Sequence, residues 1–210
     1  MKTTTMKVIF LSVVVLVFAF AFQVEIGLAA TATDQVTLST HVDETISLAC
    51  GADVNLGNIT PGTPVYGATT CTGTTNAESG YDLSVKRDDA DTTMDKMSEA
   101  TTNIADKTAW DPTAGAGAGN AATWSGVGLG FGVFASTATK DTTWWGTGNA
   151  CDHADNKYAG FPTAYALIMD YDAYSSGSTT TDICYKLDVP TTQKSGTYDG
   201  NITYQAVSKP

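Results

Sequence analysis

Apolar and polar residues alternate along much of this chain, and a period of two predicts β-strands. In the first such stretch, residues 36–50, the even positions are mostly apolar and the odd positions polar, with a break near Asp43-Glu44. This pattern predicts a long, half-buried strand pair. The alternation returns later, and no stretch has the periodicity of a long helix. Three further strands are predicted at residues 81–85, 183–189 and 198–206.

Short strands separated by clusters of Gly, Pro, Asn and Thr are typical of an all-β protein, and we predict an antiparallel, immunoglobulin-like β-sandwich. Gly196 and Tyr198 fit a tyrosine corner, in which the hydroxyl bonds to backbone a few residues upstream. Long loop insertions are expected at about 87–123 and 136–163, and loops of this length are usually functional or mobile. No linker divides residues 33–210, so we expect a single domain.

Glycine alternates with Val, Leu and Phe over residues 126–133. The glycine spacing resembles a nucleotide-binding loop, but such a loop must follow a strand and open a helix. The strict alternation instead predicts a central strand whose glycine face lies under a bulky neighbour such as a tryptophan.

The first residues have the pattern of a secretory signal peptide. Lys2 and Lys7 form a short positive head, residues 8–22 are almost all apolar, and small residues at 27–32 offer cleavage sites. The apolar run is shorter than the roughly 20 residues that a membrane span needs, which favours cleavage over anchoring. We expect residues 1–32 to be removed, leaving a bacterial extracytoplasmic protein, secreted or at the cell surface, without a transmembrane segment.

The chain is acidic, with 22 Asp and Glu residues against 11 Lys and Arg residues and a net charge of −11. Two lysines and one glutamate lie in residues 1–32, so nine basic and twenty-one acidic residues remain after the expected cleavage. A surface of this charge repels phosphate backbones, which excludes nucleic acid as a partner. The acids are scattered, as on a solvated surface.

The chain has four cysteines, Cys50, Cys71, Cys151 and Cys184. An even number in an exported chain predicts two disulfides. Of the three connectivities we predict the nearest-neighbour pairing, Cys50–Cys71 and Cys151–Cys184. Zinc is not expected, because the chain has no C-x-x-C motif and only two histidines.

We expect no catalytic centre. The two histidines lie on a polar strand face and in a loop, so no Ser-His-Asp arrangement can be argued. Asp89 with Asp91, and Asp170 with Asp172, have the residue types of a glycosidase pair. Their spacing and their polar surroundings favour turn or surface acids instead.

We expect no cofactor, with calcium as the one alternative left open. Calcium takes about six to eight oxygen ligands, often from flexible loops. Asp152, Asp155 and Asn156 lie in one loop beside Cys151, and residues 88–95 form a second oxygen-rich segment. Neither segment matches an EF-hand.

Trp144-Trp145 is the candidate contact site. In a strand, consecutive side chains point to opposite faces, so one ring would enter the core and the other would face out. In a loop both rings could be exposed, as on sugar-binding or partner-binding surfaces. The alternative is that both rings pack over the glycine strand.

Two segments near the ends of the predicted domain carry a resemblance. Residues 34–38, Asp-Gln-Val-Thr-Leu, open the first predicted strand, and residues 196–204, Gly-Thr-Tyr-Asp-Gly-Asn-Ile-Thr-Tyr, close the last. In these segments the chain resembles bacterial secreted surface proteins with an immunoglobulin-like sandwich and is distantly similar to the WxL cell-wall-binding domains. The Trp-x-Leu motif itself is absent. The resemblance implies an immunoglobulin-like fold and a role at the cell wall.

Together these patterns predict a non-catalytic, exported cell-surface protein with a structural or adhesive role. It would act by binding a cell-wall polymer, a surface protein or copies of itself. The alternative is a carbohydrate-binding module in which Trp144 or Trp145 stacks on a sugar ring.

Overall fold

The computed structural model describes residues 31–117 and 119–209. The predicted signal peptide, residues 1–32, lies outside them except for its last two residues. The chain divides after His41 into two units, and residues 31–41 form no helix or strand. Over the ranges described, no helix has the length and apolar character that a membrane span requires.

The unit that begins at Val42 is built mainly from short β-strands. Its described residues form twelve strands and two helices of one turn each. The bounds are β1 (Ile46–Cys50), β2 (Val65–Thr75), β3 (Tyr81–Arg87), β4 (Met94–Lys96), β5 (Glu99–Ile104), α1 (Ala114–Gly117), β6 (Ala122–Thr123), β7 (Gly128–Ser136), α2 (Thr142–Trp145), β8 (Lys157–Tyr158), β9 (Ala166–Tyr171), β10 (Thr179–Asp188), β11 (Tyr198–Asp199) and β12 (Ile202–Ser208).

Two antiparallel sheets make up the main body. One has the strand order β1-β2-β10-β7 and the other the order β12-β3-β9. Side chains from both sheets belong to one hydrophobic cluster, so the sheets pack face to face in a sandwich-like arrangement. The prediction of an all-β, antiparallel fold is confirmed, and the immunoglobulin-like topology stays a prediction.

The predicted alternation is confirmed in the central strands. Leu83 on β3 and Ile183 on β10 are fully buried, and the residues on either side of Leu83 are only partly buried. Tyr81 and Tyr171 stack with their ring centroids 4.6 Å apart. The Tyr81 hydroxyl lies 2.6 Å from Thr179 Oγ1, so a hydrogen bond joins the two sheets across the core.

The first predicted strand is wrong over most of its length. Residues 31–45 form no strand, and only Ile46–Cys50 pairs, as β1, with β2. Val36 and Leu38, which the pattern placed on a buried face, are 77% and 92% exposed. The strand that the family resemblance implied at residues 34–38 is therefore also wrong. Alternation indicates which face a strand can bury, but it does not supply the partner.

The two predicted loop regions are only partly irregular. Residues 87–123 contain β4, β5, α1 and β6, and residues 136–163 contain α2 and β8. Because β6 pairs with β8, the two insertions are tied to each other. A largely buried ion pair anchors the first insertion, with Arg87 Nη1 lying 2.5 Å from Asp106 Oδ2. Burial raises the pKa of the Asp106 carboxyl, although Thr93 and Arg87 donate to it.

The glycine strand is present as β7. A Cβ at Gly130 would lie 3.3 Å from Trp124 Cζ3, and a Cβ at Gly132 would collide with the Lys157 carbonyl. A tryptophan ring and insertion backbone therefore cover the glycine face, as predicted. The predicted central position is wrong, since β7 is the last strand of its sheet.

Both predicted disulfides are present, Cys50–Cys71 and Cys151–Cys184. The first joins the neighbouring strands β1 and β2. The second ties the insertion at residues 136–163 to β10, so it fastens a covering segment to the sheet beneath it.

The hydrogen bond predicted for Tyr198 is also present. Its hydroxyl donates to the Lys194 carbonyl at 2.7 Å and accepts from Gln193 Nε2 at 2.8 Å. Tyr198 lies in β11, which pairs with β4, and the longer β12 begins later at Ile202. The bond therefore fixes the turn that leads into β11.

Candidate binding surfaces

Trp144 and Trp145 lie in α2 and not in a strand. Asp141 caps this single turn, since its Oδ1 accepts from the N–H groups of Thr143 and Trp144 at 2.7 and 3.2 Å. Gly146 ends the turn with a φ of 76°, which glycine adopts without strain. Trp145 is fully buried and Trp144 is partly buried.

Both rings belong to a tryptophan cluster with Trp110. The Trp110 centroid lies 4.5 Å from that of Trp145 and 5.3 Å from that of Trp144. The indole N–H of Trp145 donates to the Ile168 carbonyl at 2.9 Å, and that of Trp110 donates to the Leu167 carbonyl at 2.7 Å. Both carbonyls belong to the edge strand β9, so the main role of the cluster is to cover that strand. Only part of Trp144 remains at the surface for a contact.

Backbone groups of the two insertions cover the other edge strand at this end, β7. Phe131 exchanges two hydrogen bonds with Ala159, at 2.8 and 3.0 Å, and the Leu129 carbonyl accepts from the Lys107 N–H at 2.7 Å. The Phe131 ring lies 5.3 Å from Trp145, so one tryptophan contacts both β7 and β9. We call β7, β9 and the insertion residues that cover them the closed edge.

The opposite ends of the two sheets are β1 and β12, which we call the open edge. They lie side by side, and among the described strands none pairs with their free sides. Their ladders have no bulge, whereas the ladders of β7 and β9 each have one. Their sequences, ISLAC and ITYQAVS, contain no charged residue and no proline. Charges, prolines and bulges are usual means of keeping an edge strand from pairing with other chains.

The free side of β12 presents a row of backbone groups. The Asn201 carbonyl accepts from Asp88 N–H, and the Lys209 N–H donates to the Gly80 carbonyl, so these residues face β3. Residues of an antiparallel ladder alternate between facing the partner and facing away from it. The residues of β12 whose N–H and C=O groups point away from β3 are therefore Ile202, Tyr204, Ala206 and Ser208.

The core is incompletely covered at the open edge. Ile46 on β1 is 37% exposed, and Leu48 and Ala206 are only partly buried. In the middle of the sheets, Leu83 and Ile183 are fully buried. A chain laid along the open edge would remove further apolar surface from water.

The calcium candidates do not form an oxygen cage. Asn156 is buried, and its Nδ2 donates to the Ala150 carbonyl at 2.7 Å, so the side chain holds the loop. Asp152 and Asp155 are exposed, and Asp155 Oδ2 lies 3.7 Å from His153 Nδ1. Within the described parts of the chain, no group of three or more His, Cys, Asp or Glu side chains is placed to hold a metal ion.

The spaced carboxylates are engaged in local contacts. Lys209 Nζ contacts Asp170 and donates to Asp172 Oδ1 at 2.7 Å. Burial lowers the pKa of Lys209, but the hydrogen bonds that its ammonium donates to these two carboxylates outweigh burial and raise the pKa above its ordinary value. Asp89 Oδ1 accepts from the Asp91 N–H at 2.8 Å, which closes a local turn. These residues act as surface acids, as predicted.

A cleft that the sequence did not indicate lies between the two insertions. It has a volume of about 160 Å³. Trp124 and Tyr158 meet edge to face with their centroids 5.5 Å apart, and Lys107 Nζ lies 4.2 Å from the Trp124 ring centroid. We call it the aromatic cleft. Its lining residues are Lys107, Thr108, Asn120, Ala122, Thr123, Trp124, Ser125 and Tyr158.

The aromatic cleft combines ring surfaces with polar groups. Lys107 Nζ donates to the carbonyls of Ser125 and Val127 at 2.5 and 2.8 Å, which fixes the loop around Trp124. Burial lowers the pKa of Lys107. Lys186 Nζ lies 5.0 Å from the Trp124 ring centroid. Aromatic rings beside hydroxyl, amide and ammonium groups suit a polar ring compound, which stacks on the ring and accepts or donates hydrogen bonds at its rim.

The chain matches no protein-family model and no curated protein. Three regions define the candidate surfaces by geometry: the tryptophan cluster, the open edge and the aromatic cleft. The sequence indicated only the first, because Trp144 and Trp145 are adjacent there. The members of the other two come together only through the fold.

Proposed function

We propose that this chain is an exported, non-catalytic protein of the bacterial cell surface with a structural or adhesive role. It acts by binding a cell-wall polymer, a surface protein or copies of itself. The open edge carries this proposal, because unpaired backbone groups and half-exposed apolar side chains form a template for another chain. The two disulfides support a location outside the cytoplasm, where such bonds persist.

A non-catalytic role agrees with the use of the ionisable side chains. Asp170 and Asp172 are bound by Lys209, and Asp106 is bound by Arg87. His153 lies beside Asp155 in an exposed loop. These groups have local structural partners and do not converge on a cleft.

Cell fractionation tests the proposed location. An antibody raised against residues 33–210 should detect the protein in the cell-wall or extracellular fraction, separated from a cytoplasmic marker. Its intact mass should show four oxidised cysteines and an N-terminus near residue 33. A protein found with the cytoplasmic marker, with reduced cysteines and residue 1 retained, would overturn the proposal.

The second candidate function is a carbohydrate-binding module, and the aromatic cleft is the observation that favours it. Trp145 is buried and cannot stack on a sugar, while Trp124, which lines the cleft, is only partly buried. Retention of the protein on insoluble cell wall and on common polysaccharides measures this function. Trp124→Ala should abolish retention, Trp124→Phe should keep part of it because a ring remains, and Trp144→Ala should keep most of it. Unchanged retention of Trp124→Ala would exclude the cleft as the site.

A further inference from the structure

Residues 36–42 have the alternating pattern of a strand but lie in no sheet, and we call them the donor segment. Val36, Leu38 and Val42 are 77%, 92% and 72% exposed. All three occupy even positions, so they lie on one face when the chain is extended. Residues 31–45 form no strand of their own. The donor segment therefore offers an exposed apolar face on a stretch of chain that belongs to no sheet.

The open edge offers a matching acceptor. β12 has 7 residues, the same length as the donor segment, and its sheet has three strands where the facing sheet has four. At the other end of the three-stranded sheet, β9 is covered by the indoles of Trp110 and Trp145. At the β12 end, backbone groups of alternate residues point outward, and the nearby apolar residues Leu48 and Ala206 are partly exposed.

We propose that the donor segment of one copy adds as a strand to β12 of a second copy. This inference rests on the proposed function and names its partner as the same chain. Main-chain hydrogen bonds to the outward groups of β12 provide the pairing. The apolar face of the donor segment covers Leu48 and Ala206, which completes the core at the open edge.

The donor segment is joined to β1 by a short link that is held in place. Asn76 Nδ2 donates to the Asp43 carbonyl at 2.9 Å, and Asn76 Oδ1 accepts from the Thr45 N–H at 2.6 Å. Only residues 43–45 separate the donor segment from β1, and these contacts hold them. If cleavage occurs near residue 32, roughly ten residues precede this link, and an extended chain of that length spans about 33 Å. That reach is enough to place the donor segment on a neighbouring molecule.

The proposed contact is heterologous, because the donor segment and β12 are different surfaces. Every copy carries both surfaces, so association continues beyond two copies until a ring closes or a filament forms. A series of oligomers, and not a single dimer, is the expected product.

Sedimentation of the disulfide-bonded protein, residues 33–210, over a wide concentration range tests the proposal. The mass should rise with concentration, and a protein that begins at residue 43 should stay monomeric. Leu38→Asp places a charge on the apolar face and should weaken association by tenfold or more. Thr37→Asp, the matched control, places the same charge on the opposite face and should change association by less than about threefold.

A disulfide trap tests the acceptor. Ser39 and Gln205 are the central residues of the donor segment and of β12, so they meet whether the strands run parallel or antiparallel. Opposed residues of paired strands have Cβ atoms about 5 Å apart, close enough for a disulfide. A copy with Ser39→Cys mixed with a copy with Gln205→Cys should form the crosslinked pair in a redox buffer. Ser39→Cys mixed with Thr74→Cys, on the outer face of β2, should not.

Three results would overturn strand addition: a monomer at every concentration, equal association of the Leu38→Asp and Thr37→Asp proteins, or crosslinking to residue 74 in place of residue 205. A monomer with amides of residues 36–42 protected from exchange would place the segment on its own chain, which also overturns it. These outcomes leave the surface role intact if fractionation finds the protein at the wall. A cytoplasmic protein that still assembles through residues 36–42 would overturn the proposed function alone.

Discussion

At the closed edge, residues of the two insertions cover the free sides of β7 and β9. At the open edge, no described strand pairs with the free sides of β1 and β12. The closed edge has backbone pairing from Ala159 and Lys107 and indole donors from Trp110 and Trp145. It also has a bulge in each ladder and a disulfide that fastens one covering segment. The open edge has a disulfide within its own hairpin, and no described segment covers it.

In the described part of the chain, one pair of edge strands is covered and the other pair is not. Unpaired strands promote unwanted association unless charge, proline or a bulge prevents it. β1 and β12 have none of these three features. The absence of such features from one edge of a molecule that covers the other edge so fully supports a role for the open edge in strand addition.

The largest expected effect is at the closed edge. Trp145→Ala removes a fully buried ring and the indole donor to the Ile168 carbonyl, so we expect the free energy of unfolding to fall by about 3–5 kcal/mol. The comparison at the open edge is Ile46→Ala, which shortens a side chain that is 37% exposed and should cost about 1 kcal/mol. Urea unfolding measures both. Equal losses would mean that the two edges are equally well covered.

The next effect concerns the two disulfides. Replacing Cys151 and Cys184 by Ala should lower the free energy of unfolding by about 2–4 kcal/mol and speed proteolysis within residues 136–157. Replacing Cys50 and Cys71 by Ala should cost a similar amount, because the loop lengths, 33 and 21 residues, change the chain entropy little. Proteolysis within residues 136–157 should not speed up in that control, because its missing bond joins only β1 to β2. Limited proteolysis with mass spectrometry checks this. Equally fast cleavage in both variants would show that the disulfide does not fasten the closed edge.

Sequence alternation predicted strands and faces where the partner strand lay in the same chain. β3 and β10 were found with their buried faces because each has neighbours on both sides. The nearest-cysteine pairing was correct for Cys50–Cys71 because β1 and β2 are adjacent antiparallel strands. Residues 36–42 have the same alternation but no partner among the described strands. The alternation therefore indicated correctly which side chains share an apolar face. It was wrong in predicting that this face is buried within the same chain.

The candidate surfaces were harder to predict. Asp141 before the tryptophan pair and Gly146 after it are typical cap residues, and this signal could have indicated the single turn of α2. Trp124 and Tyr158 are far apart in the sequence, and only the short β6–β8 ladder brings them together. No pattern in the sequence around either residue predicts this contact. An open edge is likewise a property of sheet order, which a strand's own residues do not specify.

A third prediction uses alkaline pH to probe the packing of the open edge. Tyr204, on the open strand β12, has its hydroxyl 2.8 Å from that of Tyr185. Burial raises the pKa of Tyr185 to about 12 and raises the pKa of Tyr204 well above its ordinary value. Because the folded pKa values exceed the unfolded value near 10, this stability is fully present below about pH 10 and is lost as pH rises towards 12.

The expected loss for Tyr185 alone is about 2–3 kcal/mol between pH 10 and 12, measured by urea unfolding at each pH. Tyr204→Phe removes one of the two hydroxyls whose pKa is raised, so the loss of stability over that pH range should be smaller in this variant. If the two tyrosines instead ionise near pH 10 in the folded protein, water reaches them freely. The open edge would then be looser than the structure indicates.

The smallest expected effect is at Leu38. This side chain is 92% exposed, so Leu38→Ser should change the free energy of unfolding by less than about 0.5 kcal/mol when the protein is too dilute to associate. Leu48→Ser, at a partly buried position on β1, should cost about 1–2 kcal/mol under the same conditions.

The two substitutions should have different effects on the melting temperature at high protein concentration. Strand addition binds only the folded state, so the melting temperature of the parent protein should rise with concentration. Leu38→Ser should remove that rise while leaving the dilute melting temperature unchanged, because it acts on the contact between copies and not on the body. Leu48→Ser should lower the melting temperature at every concentration. A parent protein whose melting temperature does not depend on concentration would show that the open edge, although uncovered, accepts no strand from another copy.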